Sequence, residues 1–213
     1  MADFLQVLAT GIQTTVLITA GAFGVGVVLG LPLALLRRSR NWLLRAPVIA
    51  VVEVIRAVPP IVWLFLVYYG LSSDLAQLST FQAAVGGLGL IAAAYMSEIY
   101  RAGIEAVPDG QWEAGRALAL PNLSLYRRVV LPQALVVVIP PAATYAIALL
   151  KDSAIASVIG AQDITFHAFQ ETQASLQGLS VFATAGLLYI LLSLPIAAVA
   201  RYADRALVQR MAA

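Results

Sequence analysis

Three groups of residues keep charge where the surrounding sequence is apolar. Glu53 and Arg56 stand in VVEVIRAVPP, Glu98 and Arg101 in MSEIYRAG, and Lys151, Asp152 and Ser153 in LLKDSAIASVIG. An acid and a base three residues apart share one helical face and can pair. A charge at the centre of a bilayer costs about 2.5–3.5 kcal/mol or more, so such groups face protein or water. They then serve as a staple between helices or as the wall of a polar path. Both readings stand for Glu53 and Arg56, and Pro59 and Pro60 just beyond them break the helix. Glu98 and Arg101 close an apolar run, which favours the staple, although Glu98 stays a candidate for the path. Lys151, Asp152 and Ser153 either cap a helix at an interface or offer both charges and a hydroxyl to a zwitterionic ligand. No catalytic set accompanies them. There is one histidine, His167, and no cysteine, so a thiol nucleophile, a disulfide and a thiolate metal site are excluded. No cluster of carboxylates near His167 suggests a metal site.

The elements that must position these groups are membrane helices. The chain has 213 residues, of which 61% are hydrophobic and 11% charged, with a mean hydropathy of +0.88. A soluble domain carries about 25% charged residues. A membrane helix needs about 20 apolar residues, and the sequence supplies five such stretches, near 12–36, 46–71, 81–103, 133–151 and 179–200. The first has no basic flank before it and arginines after it, so it reads as a permanent span rather than a cleaved signal. Arg37, Arg38, Arg40 and Arg45 follow it; Arg101, Arg116, Arg127 and Arg128 lie between the third and fourth; Arg201, Arg205 and Arg210 follow the fifth. The other connections hold Lys151 as their one base, beside Asp3, Asp74, Asp152, Asp163 and Glu171. Basic loops stay in the cytoplasm, so the N-terminus is expected outside and the C-terminus inside. Gly21, Gly24, Gly26 and Gly30 lie within the first span and do not follow G-x-G-x-x-G. They read as a surface on which another helix packs closely. No G-x-x-x-x-G-K-[ST] occurs, so the chain is not expected to bind ATP.

This orientation leaves one polar segment, near 108–132, in the cytoplasm. DGQWEAGRALAL forms about three helical turns with Asp109 as N-cap and Glu113 complementing the positive helix end. Pro121 ends that helix, Asn122 or Ser124 starts a second, and Pro132 stops it. The resulting elbow either lies on anionic headgroups through its arginines or docks a partner on a small-sided face that carries Trp112, Gly115 or Arg116, and Ala119.

EAGRALALPNLSLYRRVVLP resembles the E-A-A-x-x-x-G-x9-I-x-L-P signature of permease subunits of bacterial ABC importers. Glu113 and Ala114 match, Gly115 stands for the second alanine, Ala119 for the glycine and Val129 for the isoleucine, and Leu131 and Pro132 match. The flanks AAYMSEIYRAGIEAVPDGQWEA, RRVVLPQAL, LLKDSAIASVIG and VEVIRAVPP resemble the polar amino-acid subgroup. The resemblance covers nearly all five spans. It implies an all-α membrane protein with the type I importer transmembrane fold, a multi-pass subunit of the bacterial inner membrane. It further implies a second permease subunit, identical or related, and two cytoplasmic ATPases that bind ATP and Mg. An extracytoplasmic amino-acid-binding protein is implied as well, with no cofactor in this chain. Trp112, Glu113, Ala114, Gly115, Arg116, Ala119, Leu131 and Pro132 become the ATPase-coupling residues, and Glu53, Arg56, Glu98, Lys151, Asp152 and Ser153 the candidates for the substrate pathway. With alanine in place of the signature's glycine, the bend is expected to be set by Pro121 instead. A self-sufficient secondary transporter or channel is the rival reading, and an intramembrane enzyme a more distant one. No repeat supports the first and no catalytic set the second.

Overall fold

Where no water reaches the backbone, every N–H and C=O must be satisfied within the chain, and the α-helix does this segment by segment. The computed structural model describes the backbone of residues 2–71 and 77–212 and the side chains of residues 4–70 and 77–205. Asp74 and the side chains of Asp3 and Arg210 lie outside the described residues. The helices are α1 (Ala2–Ala9), α2 (Ile12–Arg37), α3 (Trp42–Ala57), α4 (Pro60–Leu71), α5 (Thr80–Glu105), α6 (Asp109–Ala117), α7 (Asn122–Leu125), α8 (Leu131–Asp152), α9 (Ile164–Ser175) and α10 (Gly178–Ala212). A π-helical turn, Tyr126–Val130, joins α7 to α8, and a 3₁₀ turn, Ser153–Ile159, follows α8.

Among the described residues, four helical stretches are long and apolar enough to cross a membrane: Phe4–Arg37, Thr80–Glu105, Asn122–Ile159 and Gly178–Arg205. The stretch expected as one span over 46–71 is instead a broken pair, α3 and α4, bent by 105°. Pro59 and Pro60 remove two backbone donors in succession, and Val58 before them turns extended, as a residue preceding proline prefers. The indole of Trp63 donates to the carbonyl of Ile55 at 3.0 Å, satisfying one acceptor that the break exposes.

Glycine contacts fix the direction of α5 against α2. Gly21 faces Val85, Gly26 faces Ala92 and Gly30 faces Met96, so the two helices run parallel. A side chain at Gly26 or Gly30 would collide with the backbone of α5. Small residues thus allow the close approach expected of them, except Gly24, which faces open space. Parallel α2 and α5 require the bent pair between them to return the chain across the bundle. α8 runs antiparallel to α5, with Tyr145 on Tyr95 and Val138 on Gly103. The start of α10 clusters with Leu8, Ile164 and Ala168 at the opposite end from Arg37.

Two sequence-based expectations at helix ends are corrected. Asp109 is the first residue of α6 rather than its cap, a position held by Pro108. Pro132 does not stop the second elbow helix. The amide of Leu131 reaches back to the carbonyl of Tyr126, five residues away, and the helix continues into α8. That wider turn makes room for the proline ring, which would otherwise press on the carbonyl four residues before it.

Opposite the basic end, Asp163 is fully buried and caps α9, accepting from the amide of Phe166 at 2.8 Å and from the Tyr189 hydroxyl at 3.3 Å. Gly11 lies against the backbone of Asp163 and Ile164 so closely that no other residue fits there. Burial pushes the Asp163 carboxyl up to about 6, whereas an unfolded aspartate titrates near 3.9. The native state therefore holds the extra proton, and stability is expected to fall as pH rises from about 4 to 6, by up to about 3 kcal/mol. Asp163→Asn keeps the cap and should flatten this slope in thermal unfolding between pH 4 and 7. An unchanged slope would assign the titration to another group.

Candidate functional site

The charged groups singled out in the sequence meet at one end of the bundle, around a residue whose pairing role the sequence did not reveal. Arg37, the last residue of α2, is buried, and its Nη1 lies 2.5 Å from Glu98 Oε1 on α5. Its Nη2 lies 3.7 Å from Glu53. The two pairs expected from spacing also form: Arg56 with Glu53 at 3.5 Å and Arg101 with Glu98 at 2.8 Å. Arg56 reaches Glu98 as well, at 3.4 Å. Glu98 thus faces three arginines contributed by three helices, accepting hydrogen bonds from Arg56 and Arg101 and pairing by charge with Arg37. On its outer side Arg101 continues to Glu105 at 2.6 Å, and Glu105 to Arg38 at 3.7 Å.

Arg37 was legible only as an orientation signal. Its burial follows from its place at the end of the stripe Gly26, Gly30, Ala34 and Arg37, which packs on α5. That spacing, four, four and three, is a helix period that a polar residue would break unless it met a partner across the interface.

The network borders an aromatic wall. The guanidinium of Arg56 lies 5.3 Å from the centre of the Tyr95 ring, and Tyr95 stacks on Tyr145 at 5.1 Å. A cation over an aromatic face is held by the ring's quadrupole. Lys151, Asp152 and Ser153 do not converge on one point. Ser153 is buried and donates to the carbonyl of Leu150 at 2.7 Å, Lys151 is exposed, and Asp152 lies between them in burial. His167 packs edge-on against Phe166. Among the described residues no group of three or more His, Cys, Asp or Glu could hold a metal ion.

The elbow, α6 and α7, has its own small core of Ile104, Val107, Leu125, Val130 and Ala134, with Trp112 and Leu120 packed against it. Trp112 meets Tyr126 edge-on at 5.2 Å, and Arg38 lies 6.0 Å from the indole, so the elbow touches the end of the network. Gly115 is turned inward against Leu125, where a Cβ would collide with the leucine side chain. It is therefore a packing residue of the elbow rather than part of an outward face. Glu113, Ala114, Arg116 and Ala119 are exposed, as are Leu131 and Pro132 at the start of α8. Leu118 and Leu123 are 75% and 79% exposed, an apolar pair that no described residue covers.

Ala119, not Pro121, makes the bend. Its φ is +50°, the left-handed conformation that glycine adopts without penalty. Its amide donates to Arg116 O at 2.9 Å and the next amide, of Leu120, to Gly115 O at 3.1 Å. This pair of bonds closes a helix on a left-handed residue. A residue with a Cβ pays about 1–2 kcal/mol there, and glycine's greater freedom in the unfolded chain returns about 0.4–1. Ala119→Gly is thus expected to stabilise the protein by about 0.5–1 kcal/mol in thermal unfolding. A loss of stability would show that packing of the methyl group outweighs the strain.

A family model described as the binding-protein-dependent transport system inner membrane component matches residues 26–211. An arginine transport system permease protein of Bacillus subtilis is 36% identical over 92% of this chain and 90% of its own length. An octopine transport system permease protein of Rhizobium meliloti is 33% identical over 88% of this chain and 80% of its own. Among solved structures, an amino acid ABC transporter crystallised with histidines superimposes with a TM-score of 0.88 at 32% identity, covering 97% of this chain and 96% of that one.

Proposed function

Because the chain belongs to the family of inner-membrane components of binding-protein-dependent transport systems, we propose that it is the pore-forming permease subunit of an ATP-driven importer, moving a polar amino acid or a close relative into the cytoplasm. The relatives named for arginine and octopine, and the amino-acid transporter with this fold, support that substrate class. The observation that carries the mechanism is the continuous path from the exposed elbow into the bundle: Trp112 to Arg38, Arg38 to Glu105, then Arg101, Glu98 and Arg56.

In this reading the bacterial inner membrane holds two permease subunits, identical or related, and each elbow seats in one of two cytoplasmic ATPases. ATP and Mg are bound by the ATPases, and the chain itself performs no chemistry. The basic end of the bundle faces the cytoplasm. A binding protein delivers the solute to the opposite end, around Lys151, Asp152 and Ser153. Closure of the ATPases on ATP moves the elbows, and the stiffness of α6 on its own core passes that motion to α2 and α5. Glu53, Arg56, Glu98 and the Tyr95–Tyr145 wall then line or gate the path.

The test is reconstitution of the full chain with candidate ATPase and binding protein, reading ATP hydrolysis across a panel of amino acids. Stimulation by one or a few polar amino acids is the expected result. Uptake by this chain alone, driven by an ion gradient, would overturn the reading in favour of a secondary transporter.

A further inference from the structure

On the face of α8 turned away from Tyr145, helices α2, α8 and α10 enclose a lateral cavity of about 720 Å³. Its walls are apolar, with Phe23, Ala143, Ala146 and Ile196 among them. The one hydroxyl in the lining, that of Thr19, is donated to Thr15 O at 2.8 Å. Along α10 the cavity extends from Leu192 to Ala203, about 16 Å at a rise of 1.5 Å per residue. That is the depth of one leaflet in a hydrocarbon core of about 30 Å.

At one end the cavity becomes polar. A neighbouring cavity of about 250 Å³ shares Ala143 and Ala200 with the first and adds Pro140, Thr144, Arg201 and Asp204. Since Tyr95 stacks on Tyr145 and Gly103 meets Val138, this polar end lies level with Glu98, at the basic end of the bundle. Among the described residues Arg201 and Asp204 enter no ion pair. A cation and an anion one helical turn apart therefore stand at the mouth of an acyl-sized groove.

We infer that the groove holds an acyl chain of an inner-leaflet phospholipid whose headgroup carries both a phosphate and a primary ammonium. Arg201 takes the phosphate and Asp204 the ammonium. A purely anionic headgroup would satisfy Arg201 but be repelled by Asp204. A quaternary ammonium lacks the N–H groups that a carboxylate accepts.

The probe is native mass spectrometry of the full chain purified from membranes, delipidated and offered phosphatidylethanolamine, phosphatidylglycerol or phosphatidylcholine with identical acyl chains. The expected result is roughly tenfold preferential retention of phosphatidylethanolamine, the scale of a charge-assisted hydrogen bond. Asp204→Asn should remove that preference. Ala143→Phe should fill the groove and remove the held lipid with helical content unchanged in circular dichroism. Equal retention of the three lipids, or a preference that survives Asp204→Asn, overturns the site. Disulfide cross-linking between Ala143→Cys chains in native membranes would also overturn it, by showing a second copy in the groove.

Discussion

Glu98→Ala is expected to destabilise this protein by about 3–5 kcal/mol, because it strips a buried arginine of its counter-charge. The Arg37 side chain is 7% exposed, and its nearest carboxylate is Glu98, with Glu53 farther away at 3.7 Å. Among the described residues its Nε and Nη1 have no hydrogen-bond partner. Arg56 and Arg101 also lose a partner, but their side chains are 33% and 35% exposed and can turn to water. The loss should therefore be concentrated on Arg37. Removing both charges, as in Arg37→Met with Glu98→Met, should recover most of the stability, since a buried pair replaced by apolar side chains of similar volume is often neutral. Thermal unfolding of the single and double variants in detergent measures the coupling. If Glu98→Ala unfolds within about 1 kcal/mol of the unmodified protein, the pair is solvated and contributes no more than a surface bridge.

The second large effect is on function with the fold intact. Glu113→Lys should abolish productive coupling to the ATPase, lowering transport at least about tenfold, as reversal of a charge against a complementary surface does. Glu113 is exposed on α6, while the elbow is held from its other side by Gly115 on Leu125 and Trp112 on Tyr126. An exposed substitution away from those contacts changes stability by no more than about 0.5 kcal/mol. The variant should therefore purify and unfold like the original chain while failing to co-purify with the ATPase or to support uptake. Full transport by Glu113→Lys would sink the docking role of the elbow. The exposed Leu118 and Leu123 provide a second reading of the same surface. Leu118→Glu should weaken ATPase association without lowering the unfolding temperature.

Features that depend on neighbours in sequence were legible. Apolar runs of membrane length, arginines after the first, third and fifth, and Pro121 within a polar segment give a helical bundle with an elbow at its basic end. Glu53 with Arg56 and Glu98 with Arg101 are one helical turn apart, so their pairing follows from helix geometry alone. The break after Val58 was readable from two successive prolines, although the 105° angle was not. That angle depends on where α4 finds space beside α5.

The rest was decided by packing between segments distant in the chain. Nothing local marks Arg37 as the partner of Glu98. The pair exists because Gly26 and Gly30 let α2 lie close along α5, which brings the end of one helix to the carboxylate of the other. Gly115 reads as a member of an outward stripe until Leu125 is seen beneath it. Ala119 carries the bend because the pair of hydrogen bonds closing α6, backed by the packing of Leu120 and Leu125, outweighs the strain of a left-handed alanine. Pro132 passes inside a helix because the turn before it widens. The sequence by itself thus determined the class of protein, four of its long apolar helices and the place of the elbow, since hydropathy, charge bias and helix period are local properties. Only the tertiary structure decided which charge is buried against which and how the elbow bends, because those outcomes balance burial and strain across helices that meet only in the folded chain.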